Sequence, residues 1–216
     1  MEASGINLKT LVRTVAAVAA VEVGVSLLTA EGLFHPMMLL GAARLLEILL
    51  IILMVRLWSG GPASLGLSVL GVPYALERGL VWSAGLGLIA ACGWVMLLSA
   101  RLQPLRLIRA QLPAGGNDLV LLFAVGGLLG PVAEELFFRG VLYGFFRRWG
   151  APAAVLLSSL IFVLSHPTSH GIRLTQAVGG ILFAMAYEVE RSLLVPITIH
   201  VLGNLAIFSL SLLRLN

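Results

Sequence analysis

The sequence predicts an all-α protein: a polytopic transmembrane helix bundle of about seven to eight spans. Three observations carry that prediction. The 216 residues are 59% hydrophobic and 11% charged, with a mean hydropathy of +1.03. A soluble domain is about half apolar and about a quarter charged, so the charge deficit is too large for a water-exposed surface. Apolar stretches of the length that crosses a bilayer, about 20 residues, recur along the chain. Arginines sit singly or in pairs beside those stretches, as membrane-flanking residues do.

The first apolar stretch runs from about Leu11 to Leu33, and no small-residue cleavage site follows it, so it reads as a retained helix. The second runs from Pro36 to Trp58. A Gly/Pro/Ser-rich connector follows, with room for a short interfacial helix or, over 64–76, an eighth crossing. The third span is placed at Leu80–Ala100. Arg101, Arg106 and Arg109 alternate with Leu and Ile at near-helical spacing, which predicts an amphipathic surface helix ending in a Gly-Gly-Asn-Asp turn. The fourth span covers Leu119–Phe146 and is closed by Arg147 and Arg148. Further spans are placed at Pro152–Ser165, Ala177–Val189 and Leu193–Leu213. No internal repeat is visible, and the chain reads as one membrane domain over residues 1–216. With the N-terminus in the cytoplasm, seven Lys/Arg lie inside (Lys9, Arg13, Arg56, Arg78, Arg147, Arg148, Arg191) against five outside (Arg101, Arg106, Arg109, Arg173, Arg214), a small bias.

The net charge of +4 comes without a basic run, which argues against a nucleic-acid partner. The single cysteine, Cys92, allows no intrachain disulfide and no zinc framework.

Charged groups in a bilayer cost about 2.5–3.5 kcal/mol each on insertion scales, so those inside the spans need a reason to be there. The fourth span is the richest, with Glu134, Glu135 and Arg139 in GPVAEELFFRG. Adjacent helical residues point about 100° apart, whereas Glu135 and Arg139, four apart, share a face. Their pairing leaves Glu134 free to face a cavity, as a general base does. Gly130 and Pro131 lie one turn earlier, where they can kink the helix. Phe162 and His166 share a face at the end of the fifth span, and His200 and Asn204 share one in the last. A Glu and a His can activate water; a His and an Asn can donate to a developing oxyanion. Taken singly, each pattern has a structural explanation, as an ion-pair lock or interhelical hydrogen-bond glue. Their combination in three apolar helices is what points to an active site in the membrane interior.

Glu134-Glu135-x-x-x-Arg139, Phe162-x-x-x-His166 and His200-x-x-x-Asn204 together resemble the motifs of the CPBP family of intramembrane proteases, which includes the Rce1-type CAAX prenyl proteases and bacterial Abi proteins. The resemblance covers residues 119–210. It implies a peptidase in which Glu134 and His166 activate the attacking water, His200 and Asn204 form the oxyanion site, and Glu135 and Arg139 hold the geometry. It implies a membrane-associated protein or peptide as substrate, such as a prenylated C-terminus, a C-terminal sorting helix or a bacteriocin-like peptide. The compact chain looks bacterial, which favours the last two and a bacterial plasma membrane. The family is often labelled a metalloprotease, yet its better-understood members look like metal-independent glutamate proteases. The chain has no HExxH, and bound zinc is not expected. No glycine-flanked serine suits a Ser/His dyad, and Asp118 is the only aspartate, so a two-aspartate mechanism is excluded.

Two other functions were weighed. A non-catalytic immunity factor or scaffold would keep the motif as an ion-pair core, but would be free to lose one member, and none is lost. A proton-coupled transporter would show inverted repeats. Glu22, Arg44 and Glu47 also lie in apolar runs; Arg44 and Glu47 are three apart and read as a buried helix-pairing lock in preference to a substrate gate. His170 and Arg173 read as a solvated loop.

Overall fold

The computed structural model describes residues 6–68, 71–104, 110–166 and 174–213. Among these, seven helices follow one another: α1 (Leu8–Ala30), α2 (Pro36–Trp58), α3 (Val72–Ser99), α4 (Gly116–Trp149), α5 (Ala151–Leu164), α6 (Leu174–Glu190) and α7 (Leu194–Leu212). No strand occurs among the described residues. The protein is an all-helical integral membrane bundle.

Local chemistry sets the helix starts. Asn7 caps α1, its Oδ1 accepting from the Thr10 N–H at 2.9 Å. Proline occupies the first turn of α2, α3 and α5, where its missing N–H costs nothing. Between α4 and α5 the chain reverses at Gly150, whose φ of 96° and ψ of 162° suit glycine alone.

Five helices (α1, α2, α3, α4 and α7) are long and apolar enough to cross a membrane. The expected count of seven to eight spans is therefore reduced. All seven apolar segments are helices, but α5 has 14 residues and α6 has 17, or about 21 and 26 Å at 1.5 Å per residue. Neither matches the ~30 Å hydrocarbon core. The eighth candidate, 64–76, does not cross: Pro62–Leu65 is one 3-10 turn, and α3 already begins at Val72. Of the proposed surface helix, residues 105–109 lie outside the described residues, 101–104 and 110–115 are not helical, and Gly116–Asp118 is the first turn of α4.

Helix α4 is the centre. It packs against α2, α5 and α7, while α1 lies on α2, α3 on α7 and α6 on α5. Side chains such as Leu88, Ile89 and Met96 on α3 stay exposed, the pattern of a lipid-facing surface. One buried apolar cluster joins Ile51, Val55, Leu65, Leu136, Val141, Tyr143 and Leu193. Tyr143 links it to a polar belt formed by Arg147 and Arg191 on Glu188, Tyr143 on Glu188, and Arg78 and Trp82 on Glu190. Helix α7 approaches α4 closely because Gly126 and Gly127 carry no side chain: a Cβ on Gly127 would meet Leu205 Cδ2 at 2.7 Å. Gly127→Val is expected to destabilise the fold by about 1–3 kcal/mol through overpacking, read as a lower melting temperature in detergent. An unchanged melting temperature would show that the α4–α7 contact is looser than these distances indicate.

Candidate active site

Helix α4 is not a regular α-helix. Leu122–Leu129 and Leu136–Tyr143 are π-helical, and a short α-helical piece, Gly130–Glu135, lies between them. Wide turns of this kind are rare and concentrate at functional sites. The kink expected at Gly130-Pro131 is thus realised as a change of hydrogen-bond register, and Glu134 and Glu135 lie at its far edge.

The hairpin at Gly150 brings the first two motifs together. Glu134 and His166 are equidistant in sequence from Gly150, so antiparallel α4 and α5 set them side by side. Helix α5 ends at Leu164, shortly before Pro167, because a residue preceding proline disfavours the helical conformation. His166 therefore sits where α5 ends instead of part-way along a span. Its Nε2 is 3.6 Å from Glu134 Oε2, and its Nδ1 is 2.7 Å from the Phe162 carbonyl. A carbonyl only accepts, so Nδ1 carries a proton and donates, and in the neutral ring Nε2 is left as an acceptor.

The third motif enters from α7. His200 Nδ1 is 2.7 Å from Glu135 Oε1, and its Nε2 is 3.9 Å from Glu134 Oε2. Phe183 of α6 stacks on the His200 ring, with centroids 4.6 Å apart. Arg139 and Glu135 are both fully buried and pair as the spacing predicts, Nη1 donating to Oε1 at 3.1 Å, while Nη2 donates to the Gly180 carbonyl at 3.1 Å. The guanidinium also lies 4.6 Å from the Phe162 ring centroid and 5.3 Å from that of Phe183. Glu135 is thus held by a cation on its own helix and by His200. Glu134, whose side chain keeps 22% exposure, has the two imidazoles as its ionisable neighbours within 4 Å among the described residues. The pairing expected from the i, i+4 spacing, Glu135 with Arg139, is the arrangement seen.

Asn204 does not join this group directly. Its Nδ2 donates to the Gly126 carbonyl on α4 at 2.9 Å. His170 and Arg173 lie outside the described residues, and Cys92 is exposed on α3. Among the described residues, no group of three or more His, Cys, Asp or Glu is arranged to hold a metal ion.

Glu22, Arg44 and Glu47 form an ion triad between α1 and α2. Arg44 Nη2 reaches Glu22 at 2.7 Å and Nη1 reaches Glu47 at 2.5 Å. Only the Arg44–Glu47 pair was foreseen from sequence; the third member comes from another helix, at a spacing no periodicity marks. Glu47 is 2% exposed and its Oε1 has no hydrogen-bond partner among the described residues. Arg44→Ala would leave that carboxylate uncompensated and is expected to cost about 3 kcal/mol or more. Arg44→Ala/Glu47→Leu should melt closer to the wild type than Arg44→Ala alone; equal melting of the two would remove the lock. The polar belt around Glu188 and Glu190 was also missed, since those residues close α6 and read in sequence as a surface turn.

Residues 116–206 match the family described as Type II CAAX prenyl endopeptidase Rce1-like. The chain is similar, at 32% identity over 85 residues, to the Bacillus subtilis protein named "Putative membrane peptidase YdiL"; the match covers 39% of this chain and 34% of that protein. It is also similar, at 36% identity over 84 residues, to the Staphylococcus aureus protein named "Membrane-embedded CAAX protease MroQ", covering 36% of this chain and 34% of that one. The matched segment thus spans about a third of each relative's length. No solved structure matches.

Proposed function

Because residues 116–206 are similar to the Rce1-like CAAX endopeptidases, we propose that this chain is an intramembrane endopeptidase that cleaves a membrane-associated protein or peptide with water activated at Glu134. The observation that carries the proposal is the gap between Glu134 Oε2 and His166 Nε2, 3.6 Å wide. With Nδ1–H committed to the Phe162 carbonyl, Nε2 of the neutral ring accepts, and an ionised Glu134 also accepts. Two acceptors this close repel unless a donor bridges them, and a water molecule seated beside the pair, within hydrogen-bond reach of both atoms, offers two O–H groups.

In the proposed reaction, that water's oxygen attacks the scissile carbonyl carbon and the π pair moves onto the carbonyl oxygen. Glu134 takes a water proton as general base. His200 faces the site through Nε2 while Nδ1 donates to Glu135. Only the imidazolium donates from both nitrogens, and in that form its charge, with that of Arg139, balances Glu134 and Glu135. Nε2–H is then the donor for the oxyanion. When the tetrahedral centre collapses, the C–N pair returns to the amine nitrogen and Glu134 delivers the proton it took. Glu135 and Arg139 touch no reacting atom; they fix His200.

The substrate class that best suits a site inside the bundle is a bacterial membrane protein with a C-terminal sorting helix, or a bacteriocin-like peptide, in a bacterial plasma membrane. The test compares the membrane proteome of cells carrying the wild-type chain, Glu134→Ala and His200→Ala. A juxtamembrane or C-terminal fragment present only with wild type supports the proposal and identifies the substrate. Identical patterns from three folded chains would favour the scaffold or immunity function. Activity is expected to survive dialysis against a chelator such as 1,10-phenanthroline; loss restored by added zinc would replace this mechanism with a metal-assisted one.

A further inference from the structure

We propose that Asn204 is a positioning residue: its side-chain amide replaces the backbone N–H that Pro131 removes, and so holds α4 in the broken register that presents Glu134.

The hydrogen-bond register leads to this. Over Leu122–Leu129 the backbone bonds run from i to i−5, and Gly130 continues the register by donating its N–H to the Val125 carbonyl. The next acceptor in line is the Gly126 carbonyl. In the same register its donor would be residue 131, which is proline and has no N–H. In an ordinary α-helix the donor would be Gly130, whose N–H is already spent on Val125. The Gly126 carbonyl is therefore left without a backbone partner inside the membrane, where such a group costs several kcal/mol. Asn204 Nδ2 donates to it at 2.9 Å from a residue 78 positions away. The approach is made possible by Gly126 and Gly127, where side chains would collide with Phe208 and Leu205 of α7.

One turn earlier on α7, His200 holds Glu135. Helix α7 thus grips α4 at two points, Gly126 and Glu135, on either side of Pro131. The grip spans the segment that carries Glu134, so its release would let Glu134 shift relative to His166. This gives the third motif a role through the backbone of α4, beside the oxyanion contact that the family resemblance implies, because the Asn204 amide carries a second N–H that the Gly126 carbonyl does not use. It rests on the protease proposal only for its kinetic arm.

The test is rescue. Asn204→Leu removes the amide with little change of volume, and Pro131→Ala returns an N–H to the chain. In either helical register that N–H leaves Gly126 with a donor. In the natural Pro131 background, Asn204→Leu is expected to lower the melting temperature in detergent by roughly 5 °C. It should also lower kcat more than tenfold on the substrate found in the proteome comparison, with KM little changed, as expected of a misplaced base. In the Pro131→Ala background the melting penalty should largely disappear and the kcat loss should shrink. Equal melting penalties in the two backgrounds overturn the proposal. Coupled melting with an undiminished kcat loss also overturns it, because Asn204 would then act on catalysis through the reacting atoms alone. If Pro131→Ala is itself inactive, or no substrate is cleaved by the wild type, the coupling in melting temperature decides alone. If Asn204→Leu fails to accumulate, recovery of the folded double variant supports the proposal, and its absence beside a folded Pro131→Ala overturns it.

Discussion

Glu134→Gln is expected to abolish cleavage while leaving the chain folded. The amide keeps the volume and one acceptor oxygen but cannot take the water proton. General-base catalysis of this kind contributes about 10²–10⁴-fold, and a loss of that size in kcat/KM is the expected result. His166→Ala should cost a large part of the same factor, because its Nε2 holds the other side of the proposed water. The double variant should be scarcely worse than Glu134→Gln, since groups that act as a unit are not additive. The melting temperature should hardly move: Glu134 is partly exposed and bonds to no cation on its own helix. Cleavage within tenfold of wild type by a folded Glu134→Gln would end the general-base assignment.

Arg139→Met is expected to have the opposite signature, a large loss of stability. The guanidinium is fully buried and serves both Glu135 and the Gly180 carbonyl. Without it, Glu135 keeps only His200 among the described residues, and α6 loses one of its ties to α4, the others being those of Tyr143 and Arg147 to Glu188. Breaking a buried pair from one side costs about 3–5 kcal/mol. In a chain of this length that corresponds to a melting temperature lower by roughly 10 °C. Glu135→Leu/Arg139→Met, which removes both charges, should recover part of the loss. If Arg139→Met melts like the wild type and loses only activity, Arg139 acts on substrate and the assignment of Glu135 and Arg139 to holding His200 is wrong.

The two predictions separate residues that look alike in sequence. Glu134 and Glu135 are neighbours in the same apolar helix, and helical spacing to Arg139 already indicated which of them is paired. That inference needs only 3.6 residues per turn, and the Oε1–Nη1 distance of 3.1 Å agrees with it. The hydropathy that located seven apolar segments likewise needs only composition, and every segment is a helix.

Span length was not legible in the same way. Hydropathy reports that a segment is apolar, while where its helix ends depends on turns and prolines, so α5 stops at Leu164 and places His166 at site depth. Nor was the partner of Asn204. The Gly126 carbonyl that its Nδ2 reaches belongs to the backbone and leaves no trace in residue identity.

By itself, then, the sequence determined that the chain is a membrane helix bundle and which glutamate pairs with Arg139. These follow from transfer free energy and helical periodicity, both local properties. Only the tertiary structure decided how many helices are long and apolar enough to span, that His200 grips Glu135, that Glu22 completes the triad with Arg44, and that α4 is π-helical on both sides of Pro131. Each of these depends on polar atoms from distant segments finding one another where water is absent. A buried donor or acceptor must be satisfied by whatever group the fold brings within about 3 Å, and sequence spacing does not record that distance.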